Sequence, residues 1–292
     1  MRRTVQVGLS LLAVLALLLS VGGTASAHQA GTTYLKVKGA HSPNKPRQSS
    51  NLFYHGGAIE QAAKVYIVWW GDWAGSGAAQ TYVSNFFSGV GGSSWANSTT
   101  QYCQGVASGT VQCGGAGIHP TNPANELGGT WNDTSAVPTS PTQSQIAAEA
   151  SAAATHFGGV RANSNYMVFT PSGHSENGFG TQWCAYHSSS GNLSYSYMPY
   201  QPDAGASCGQ NFVNSNGVFD GFSIVGGHEY GETITDPYPN SGWLDGRGAE
   251  NGDKCAWIGS GSGAAQNIRL STGSFPVQTL WSNATSSCVI SY

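Results

Sequence analysis

Half of the acidic residues in this chain lie in one short segment. The 292 residues include 14 Asp and Glu but only 11 Lys and Arg, so 9% are charged, against roughly 25% in an ordinary soluble domain. Seven of the 14 acids lie between residues 220 and 253, namely Asp220, Glu229, Glu232, Asp236, Asp245, Glu250 and Asp253. Any fold of the chain has to account for this cluster. The scarcity of cations argues against a nucleic-acid partner, and an apolar content of 39% argues against disorder.

The segment 220–237 predicts a helix that gathers acidic residues on one face. It begins with Asp, which can cap a helix, and it ends at Pro, which cannot continue one. At about 100° per residue, Glu232 lies about 40° from His228 and one turn along, and Asp236 follows at the same interval. This geometry is that of the His-Glu-x-x-His helices of zinc peptidases, with Glu232 in place of the second His.

Glu229 flanks the same face, in the position of the general base of those peptidase helices. The replacement by Glu232 is chemically permissible, because a carboxylate oxygen also binds Zn²⁺. One His among carboxylates also suits harder ions, so Ca²⁺ and Mn²⁺ are alternatives to Zn²⁺. Gly226, Gly227 and Gly231 would each cost the helix roughly 1 kcal/mol relative to Ala, which favours a helix whose backbone is approached closely.

A catalytic zinc site needs at least three protein ligands, so a third must join the two on the helix. Four residues are candidates: Glu250, Asp236, His187 and Asp253. We favour Glu250, because the turn-rich loop before it lets it fold back over the helix and a disulfide at Cys255 would anchor that loop. Asp236 has the right face but marginal reach, and a buried histidine beside aromatic residues, such as His187, is more often structural. His187 and His55 are candidate cleft residues.

The first 27 residues have the pattern of a secretory signal that is cleaved after Ala27. Two arginines precede an apolar run over residues 9–20, and Ala-Ser-Ala ends the segment. We therefore expect a secreted protein without a stable membrane anchor. Residues 28–50 lack apolar periodicity and are predicted to form a flexible lead-in, and residues 51–292 are predicted to form a single globular domain.

The six cysteines favour three disulfides, since an even number in an exported protein usually pairs. Six cysteines allow many pairings, and connectivity does not follow from sequence. Pairing neighbours along the chain suggests Cys103–Cys113, Cys184–Cys208 and Cys255–Cys288.

Strand and helix patterns alternate along the chain. The runs 64–70 and 166–169 are apolar, with β-branched and aromatic residues, as in buried strands. Apolar residues at helical spacing over 82–90 predict one helix, and a capping pattern at Ser140 before an Ala-rich run predicts another. We therefore expect an α/β or α+β fold with a central sheet, to which the metallopeptidase-like helix belongs.

Several blocks of the chain resemble one family in collinear order. The blocks are 53–57 (Phe-Tyr-His-Gly-Gly), 67–71 (Ile-Val-Trp-Trp-Gly), 183–187 (Trp-Cys-Ala-Tyr-His), 225–237 (Val-Gly-Gly-His-Glu-Tyr-Gly-Glu through Thr-Asp-Pro), Trp243 and 250–255 (Glu-Asn-Gly-Asp-Lys-Cys). Over roughly residues 50–258 the chain is similar to the Exordium/phosphate-induced proteins, which are secreted plant proteins with bacterial relatives. The resemblance implies an extracellular protein, linked in plants to cell-wall growth, and carries no established reaction. Plant members often have Asn at the position of Asp236, so the resemblance favours Glu250 as a ligand.

Three hypotheses for the function follow. The first is a secreted, metal-dependent hydrolase of the metallopeptidase kind, in which His228, Glu232 and Glu250 hold Zn²⁺ and Glu229 is the base acting on a peptide or protein substrate. The second is a non-enzymatic extracellular or cell-wall-associated protein, in which the same acids hold a structural cation. The third is a glycan-active protein whose exposed tryptophans stack on cell-wall sugars.

Overall fold

The computed structural model of the protein describes residues 31–40 and 50–292. In these residues the α-helices are α1 (Gly77–Val90), α2 (Gln143–His156) and α3 (Asp220–Thr235). The strands in the same residues are β1 (Thr32–Lys36), β2 (Phe53–Tyr54), β3 (Lys64–Trp70), β4 (Leu127–Asp133), β5 (Ser164–Phe169), β6 (Trp183–Ser190), β7 (Leu193–Met198), β8 (Trp243–Leu244), β9 (Gln266–Leu270), β10 (Gly273–Val277), β11 (Leu280–Ser282) and β12 (Ser287–Val289). Short 3₁₀ helices cover Ala96–Gln101, Gln201–Cys208 and Asp253–Cys255.

Six strands form a central mixed sheet in the order β1-β6-β7-β5-β3-β4. The strands β7, β5, β3 and β4 run parallel, whereas β6 pairs antiparallel with both β7 and β1. Three two-stranded pairs, β2–β8, β9–β10 and β11–β12, lie outside this sheet. The predicted mixed α/β architecture with a central sheet is therefore confirmed, and the two apolar runs predicted to be strands lie in β3 and β5.

Along each strand of the sheet, side chains belong alternately to two hydrophobic clusters, because successive side chains of a strand point to opposite faces. In β3, Ile67 belongs to the cluster that contains residues of α1 and α3, and Val68 belongs to the cluster that contains residues of α2. In β6, Ala185 and Tyr186 divide in the same way. Helices thus cover both faces, and the alternation places His187 on the face that carries α3.

All 16 residues of α3 are buried, including its charged residues. Its glycines allow neighbours to come close to its backbone. A Cβ atom at Gly226 would lie 3.3 Å from the Phe87 ring, one at Gly227 would lie 3.2 Å from the Trp95 ring, and one at Gly231 would lie 2.9 Å from the Leu280 side chain. The close approach expected from these glycines is confirmed.

Two predicted helix starts differ from the structure. The cap of α2 is Thr142 rather than Ser140, and Thr142 forms a capping box with Gln145. Asp220 is the first residue of α3 rather than its cap. The Asp220 carboxylate instead accepts hydrogen bonds from the backbone N–H groups of residues 213–214, at 3.1 and 2.8 Å. Asp220 therefore holds the preceding loop and takes no part in the acidic face of the helix.

The flexible lead-in predicted for residues 28–50 is wrong over Thr32–Lys36, which form the edge strand β1 paired with β6. Leu35 is fully buried in the cluster on the α3 face. The prediction rested on the lack of apolar periodicity over residues 28–50 and overlooked the β-prone Thr-Thr-Tyr-Leu sequence of residues 32–35. The signal predicted for residues 1–27 lies outside the described residues.

The three disulfides pair as suggested by sequence neighbours: Cys103–Cys113, Cys184–Cys208 and Cys255–Cys288. This number of disulfides is consistent with an exported protein. The last of them joins the 3₁₀ helix that follows the acidic segment to β12. Within the described part of the chain, none of the helices has the length and apolar character needed to span a membrane.

Candidate metal centre

His187 lies among three carboxylates where β6 faces α3. Its Nδ1 atom is 3.3 Å from Oε2 of Glu229 and 3.5 Å from Oε2 of Glu232, and its Nε2 atom is 3.5 Å from Oε1 of Glu250. The helix supplies the first two carboxylates, and the loop after β8 supplies the third. All four side chains are 0% exposed. The structure therefore brings His187 into the acidic cluster itself, although the sequence favoured a structural role for it.

His228 forms a second group around the other oxygen of Glu232. Its Nε2 atom lies 3.1 Å from Oε1 of Glu232, one helical turn along as the spacing predicts, and 3.9 Å from Oδ1 of Asp253. His228 is fully buried, whereas 19% of the Asp253 side chain is exposed. Among these residues, Asp253 is the one through which the cluster reaches solvent.

The expected ligand set of His228, Glu232 and Glu250 is divided between two groups. One group contains His187, Glu232 and Glu250, and the other contains His228, Glu232 and Asp253; within each, one donor atom per residue lies within 4.8 Å of the others. Glu250 does fold back over the helix, as the loop composition suggested, but it reaches His187 rather than His228. The spacing along one helix carries no information on which strand residue lies opposite.

Gln278 orients His228 and was not singled out by sequence. Its Nε2 amide donates hydrogen bonds to the carbonyl oxygens of Gly252 and Thr279, at 2.8 and 3.3 Å. The Oε1 atom of Gln278 therefore faces Nδ1 of His228, at 3.2 Å, and accepts a hydrogen bond from the N–H group there. When the imidazole is neutral with its proton on Nδ1, Nε2 of His228 presents its lone pair to the cluster, as metal-binding histidines do. Nothing in the local sequence around Gln278 marks this contact.

The loop 250–253 closes over α3 because Gly252 has no side chain. A Cβ atom there would lie 2.7 Å from Nδ1 of His228 and 2.9 Å from Oε1 of Glu232. The backbone N–H of Asp253 donates to Oε1 of Glu232 at 2.9 Å, and the Asn251 amide donates to the carbonyl oxygen of Gly231 at 2.8 Å. The loop is thus bonded to the helix on both sides of Gly252.

Six buried nitrogen and oxygen atoms of the cluster have no hydrogen-bond partner among the described residues. They are Nε2 of His187, Nε2 of His228, Oε1 of Glu229, Oε2 of Glu232, and both carboxylate oxygens of Glu250. Several lie 3.1–3.5 Å from another cluster atom without the geometry of a hydrogen bond. Four ligands at 2.0–2.2 Å from a tetrahedral Zn²⁺ lie about 3.3–3.6 Å from one another. The donor set and its spacing therefore fit a divalent cation.

The electrostatics of the cluster balance burial against opposite charge. Burial lowers the pKa of His187, but the surrounding carboxylates, Glu250 first, outweigh it and hold that pKa well above its usual range. The same competition, with Glu232 as the main partner, raises the pKa of His228 to about 10. Burial raises the pKa of Glu250, and it raises the pKa of Asp253 to about 7. Protons on these groups offset the negative charge of the cluster, and a bound cation would replace them.

Asp236 and His55 are not brought into the cluster as donors. Asp236 is buried, but its carboxylate accepts hydrogen bonds from the backbone N–H groups of residues 240–242 and from the Ser241 hydroxyl, at 2.8–3.3 Å. Its oxygens therefore organise the turn after α3. His55 is exposed, stacks on Phe53 at 4.6 Å, and lies 3.0 Å from the Phe53 carbonyl oxygen through Nδ1.

A third group of metal-binding residue types, Cys103, Cys113 and His119, is of a different kind. Its two cysteines form a disulfide and so offer no thiolate. The ring nitrogens of His119 lie 2.8 and 3.1 Å from the carbonyl oxygens of Thr100 and Ala116. This group is therefore structural.

Comparison of the chain with protein-family models, with curated proteins and with solved structures finds no match. The resemblance to the Exordium/phosphate-induced proteins therefore stays a prediction from the sequence blocks.

Proposed function

We propose that the buried cluster is the divalent-metal centre of an extracellular hydrolase of the metallopeptidase kind. The proposal is carried by the six buried nitrogen and oxygen atoms that lack a hydrogen-bond partner among the described residues. Each such atom costs about 1–3 kcal/mol, and more if it is charged, and one cation would satisfy several at once. The two imidazoles favour Zn²⁺, with Mn²⁺ as the alternative, over Ca²⁺, whose ligands are oxygens.

Glu229 has the position and chemistry of a general base. Its Oε2 atom is 3.3 Å from Nδ1 of His187, while its Oε1 atom is free of hydrogen bonds among the described residues. Burial raises the pKa of Glu229, and the neighbouring histidines oppose that rise. A base of raised pKa holds a proton more firmly once it has taken one.

The reaction proposed for this geometry is hydrolysis of a peptide bond. Glu229 would take a proton from the attacking water and deliver it to the leaving nitrogen as the carbon–nitrogen bond breaks. A bound divalent cation would supply Lewis acidity, which polarises the carbonyl group and lowers the pKa of water. His187, beside Glu229, would orient its carboxylate.

Access to the site sets a condition on this proposal. Glu229 is 0% exposed, and the only cluster residue with notable exposure among those described is Asp253. A peptide would therefore reach Glu229 only if a part of the chain that now covers it moved away. Two cavities of about 250 and 190 Å³ are lined by other residues.

The enclosure of the cluster favours a second candidate, a structural cation that stabilises an extracellular protein. A closed site with every ligand supplied by the protein is characteristic of structural metals. The third hypothesis, a glycan-active protein, expected exposed tryptophans that stack on sugars, and the structure does not favour it. Seven of the nine tryptophans are buried, and Trp131 and Trp257 are only partly exposed.

The substitution Glu229→Gln separates the enzymatic from the structural role. We expect the variant to keep its metal content and its melting temperature, since the amide keeps the shape of the carboxyl group. Hydrolysis of a mixed peptide library should fall about 10²–10⁴-fold, as when a general base is lost. The matched control is Glu149→Gln in α2, on the opposite face of the sheet, which should retain the activity of the wild type.

Two results would contradict the hydrolase proposal. Purified protein that binds no Zn²⁺, Mn²⁺ or Ca²⁺ after reconstitution would exclude the metal centre altogether. Protein that binds metal and melts at a lower temperature after chelation, but shows no hydrolysis of peptides or proteins, would establish the structural role instead.

A further inference from the structure

The two oxygens of Glu232 face different histidines. Oε1 lies 3.1 Å from Nε2 of His228, and Oε2 lies 3.5 Å from Nδ1 of His187. Each histidine also has its own terminal carboxylate: Oε1 of Glu250 lies 3.5 Å from Nε2 of His187, and Oδ1 of Asp253 lies 3.9 Å from Nε2 of His228. In each half, one donor atom of the histidine, of Glu232 and of the terminal carboxylate lie within 4.8 Å of one another. The cluster is thus built as two halves that share one carboxylate. We infer that it binds two divalent cations bridged by Glu232, an inference that rests on the proposed metal centre.

Oε1 of Glu232 retains capacity for a cation although it already accepts a hydrogen bond. That bond comes from the backbone N–H of Asp253 at 2.9 Å, and a carboxylate oxygen has two lone pairs. Oε2 of Glu232 has no hydrogen bond among the described residues. Each oxygen therefore has a lone pair for the half that it faces, as a bridging carboxylate requires.

Charge balance also favours two cations. The cluster contains four carboxylates with four negative charges when ionised, Glu229, Glu232, Glu250 and Asp253, beside two imidazoles that are neutral when they bind metal. Two divalent cations neutralise this set, whereas one would leave a charge of about −2 in a buried site, which is costly. The nearby Asp236 is stabilised separately, by the N–H groups of its own turn.

The two halves differ in their access to solvent. The half formed by His187, Glu232 and Glu250 is 0% exposed, whereas 19% of the Asp253 side chain is exposed in the other half. The cation between His228 and Asp253 is therefore the outer one. It should be the first to leave when a chelator is added.

The experiment measures two quantities: the number of Mn²⁺ ions bound per chain, and the magnetic coupling between them. Metal-free full-length secreted protein is titrated with Mn²⁺, bound ions are counted by native mass spectrometry, and the electron paramagnetic resonance spectrum is recorded. We expect two ions per chain and an exchange-coupled spectrum, because two-metal sites hold their ions about 3.5–4 Å apart.

Two variants each remove one terminal ligand. Asp253→Asn should lose the outer ion, and Glu250→Gln should lose the inner one, so each should bind one Mn²⁺ and lose the coupled spectrum. The control is Asp245→Asn in the same loop, whose carboxylate bonds to Lys254 at 3.1 Å and lies outside both groups. It should still bind two.

The outcomes separate this inference from the metal centre on which it rests. One ion per chain in the wild type would overturn the two-cation site and leave a single metal centre standing. Two ions without magnetic coupling would also overturn it, because the second would then lie elsewhere. No bound ion would overturn both. The wild-type measurement alone is decisive even if a variant fails to fold.

Discussion

At the scale of single residues, Glu232 connects the parts of the site. It contacts His187 from the sheet, His228 one turn earlier in α3, and the backbone of Asp253 from the loop. Opposite charge from the histidines, His228 above all, overcomes the effect of burial and lowers the pKa of Glu232. Glu232 is therefore the carboxylate most firmly ionised in a cluster where burial raises the pKa of Glu229 and Glu250.

Gln278 provides a test of how the site is positioned. Replacing it by Met removes the acceptor that holds the proton of His228 on Nδ1, while it keeps a side chain of similar length. For the proposed Zn²⁺ site we expect the affinity to fall about 10–100-fold, as is usual when a partner of a ligating histidine is lost. Isothermal titration calorimetry with a competing chelator measures the change.

Gln201→Met is the matched control for that substitution. Gln201 has the same 1% exposure as Gln278 and also donates to two backbone carbonyl groups, at 3.0 Å each, but it does not contact the cluster. The control should lose stability without losing affinity. Equal affinities of the two variants would contradict a positioning role for Gln278.

Glu126 predicts a dependence of stability on pH. Burial raises its pKa to about 7, although the Tyr230 hydroxyl donates a hydrogen bond to it. The unfolded chain releases this proton near pH 4.5, so the folded state binds more protons between about 4.5 and 7. The contribution to stability is therefore complete below pH 4.5 and is lost as the pH rises through 7, at up to about 1.4 kcal/mol per pH unit.

The substitution Glu126→Gln should remove that dependence, because an amide cannot ionise. Urea unfolding of wild type and variant between pH 5 and 8, at one fixed metal concentration, gives the difference in unfolding free energy. We expect the difference to shift in favour of the variant by about 2–3 kcal/mol as the pH rises. Parallel curves for the two proteins would contradict the assigned pKa.

At the scale of elements, the turn after α3 positions β8 and the loop after it, which carries Glu250. Asp236 binds the N–H groups of residues 240–242, and the chain then enters β8. Gly242 packs directly against the end of the helix. A Cβ atom there would lie 2.1 Å from the Thr235 carbonyl oxygen and 2.8 Å from Cα of Asp236. Because both neighbours are backbone atoms, they have little freedom to move away.

We therefore expect Gly242→Ala to destabilise the protein by about 2–4 kcal/mol, within the range of severe packing clashes. The matched control is Gly246→Ala just after β8, where an added Cβ would meet nothing within 4 Å and stability should change by less than about 0.5 kcal/mol. Thermal and urea unfolding compare the two. A neutral Gly242→Ala would show that the turn is not rigidly packed against α3.

At the scale of the whole molecule, the centre depends on three distant parts of the chain. The sheet supplies His187, α3 supplies the His-Glu-x-x-Glu face, and the loop carrying Glu250 is held by Gln278 and by the disulfide between Cys255 and Cys288. The helix is buried because it packs on a sheet face and is covered by β10, β11 and the loop. The site is therefore a product of tertiary packing around one locally specified helix.

The sequence predicted those features that depend on neighbours along the chain. The helix 220–235 follows from its boundaries and spacing, the strands 64–70 and 166–169 follow from their apolar runs, and each disulfide joins cysteines that are consecutive in sequence. Even here, the edge strand at Thr32–Lys36 was missed, because a short strand gains most of its stability from its partner.

The composition of the acidic segment was readable from sequence, and so was the helical face that presents His228, Glu229 and Glu232. The pairing of His187 with Glu229 and of His228 with Gln278 spans 42 and 50 residues, and it depends on sheet register and on how α3 crosses β6. Asp236 illustrates the difference: its helical position suggested a ligand, but the fold turned its carboxylate toward a backbone turn. Local periodicity determines which side chains share a face, and long-range packing determines what that face meets.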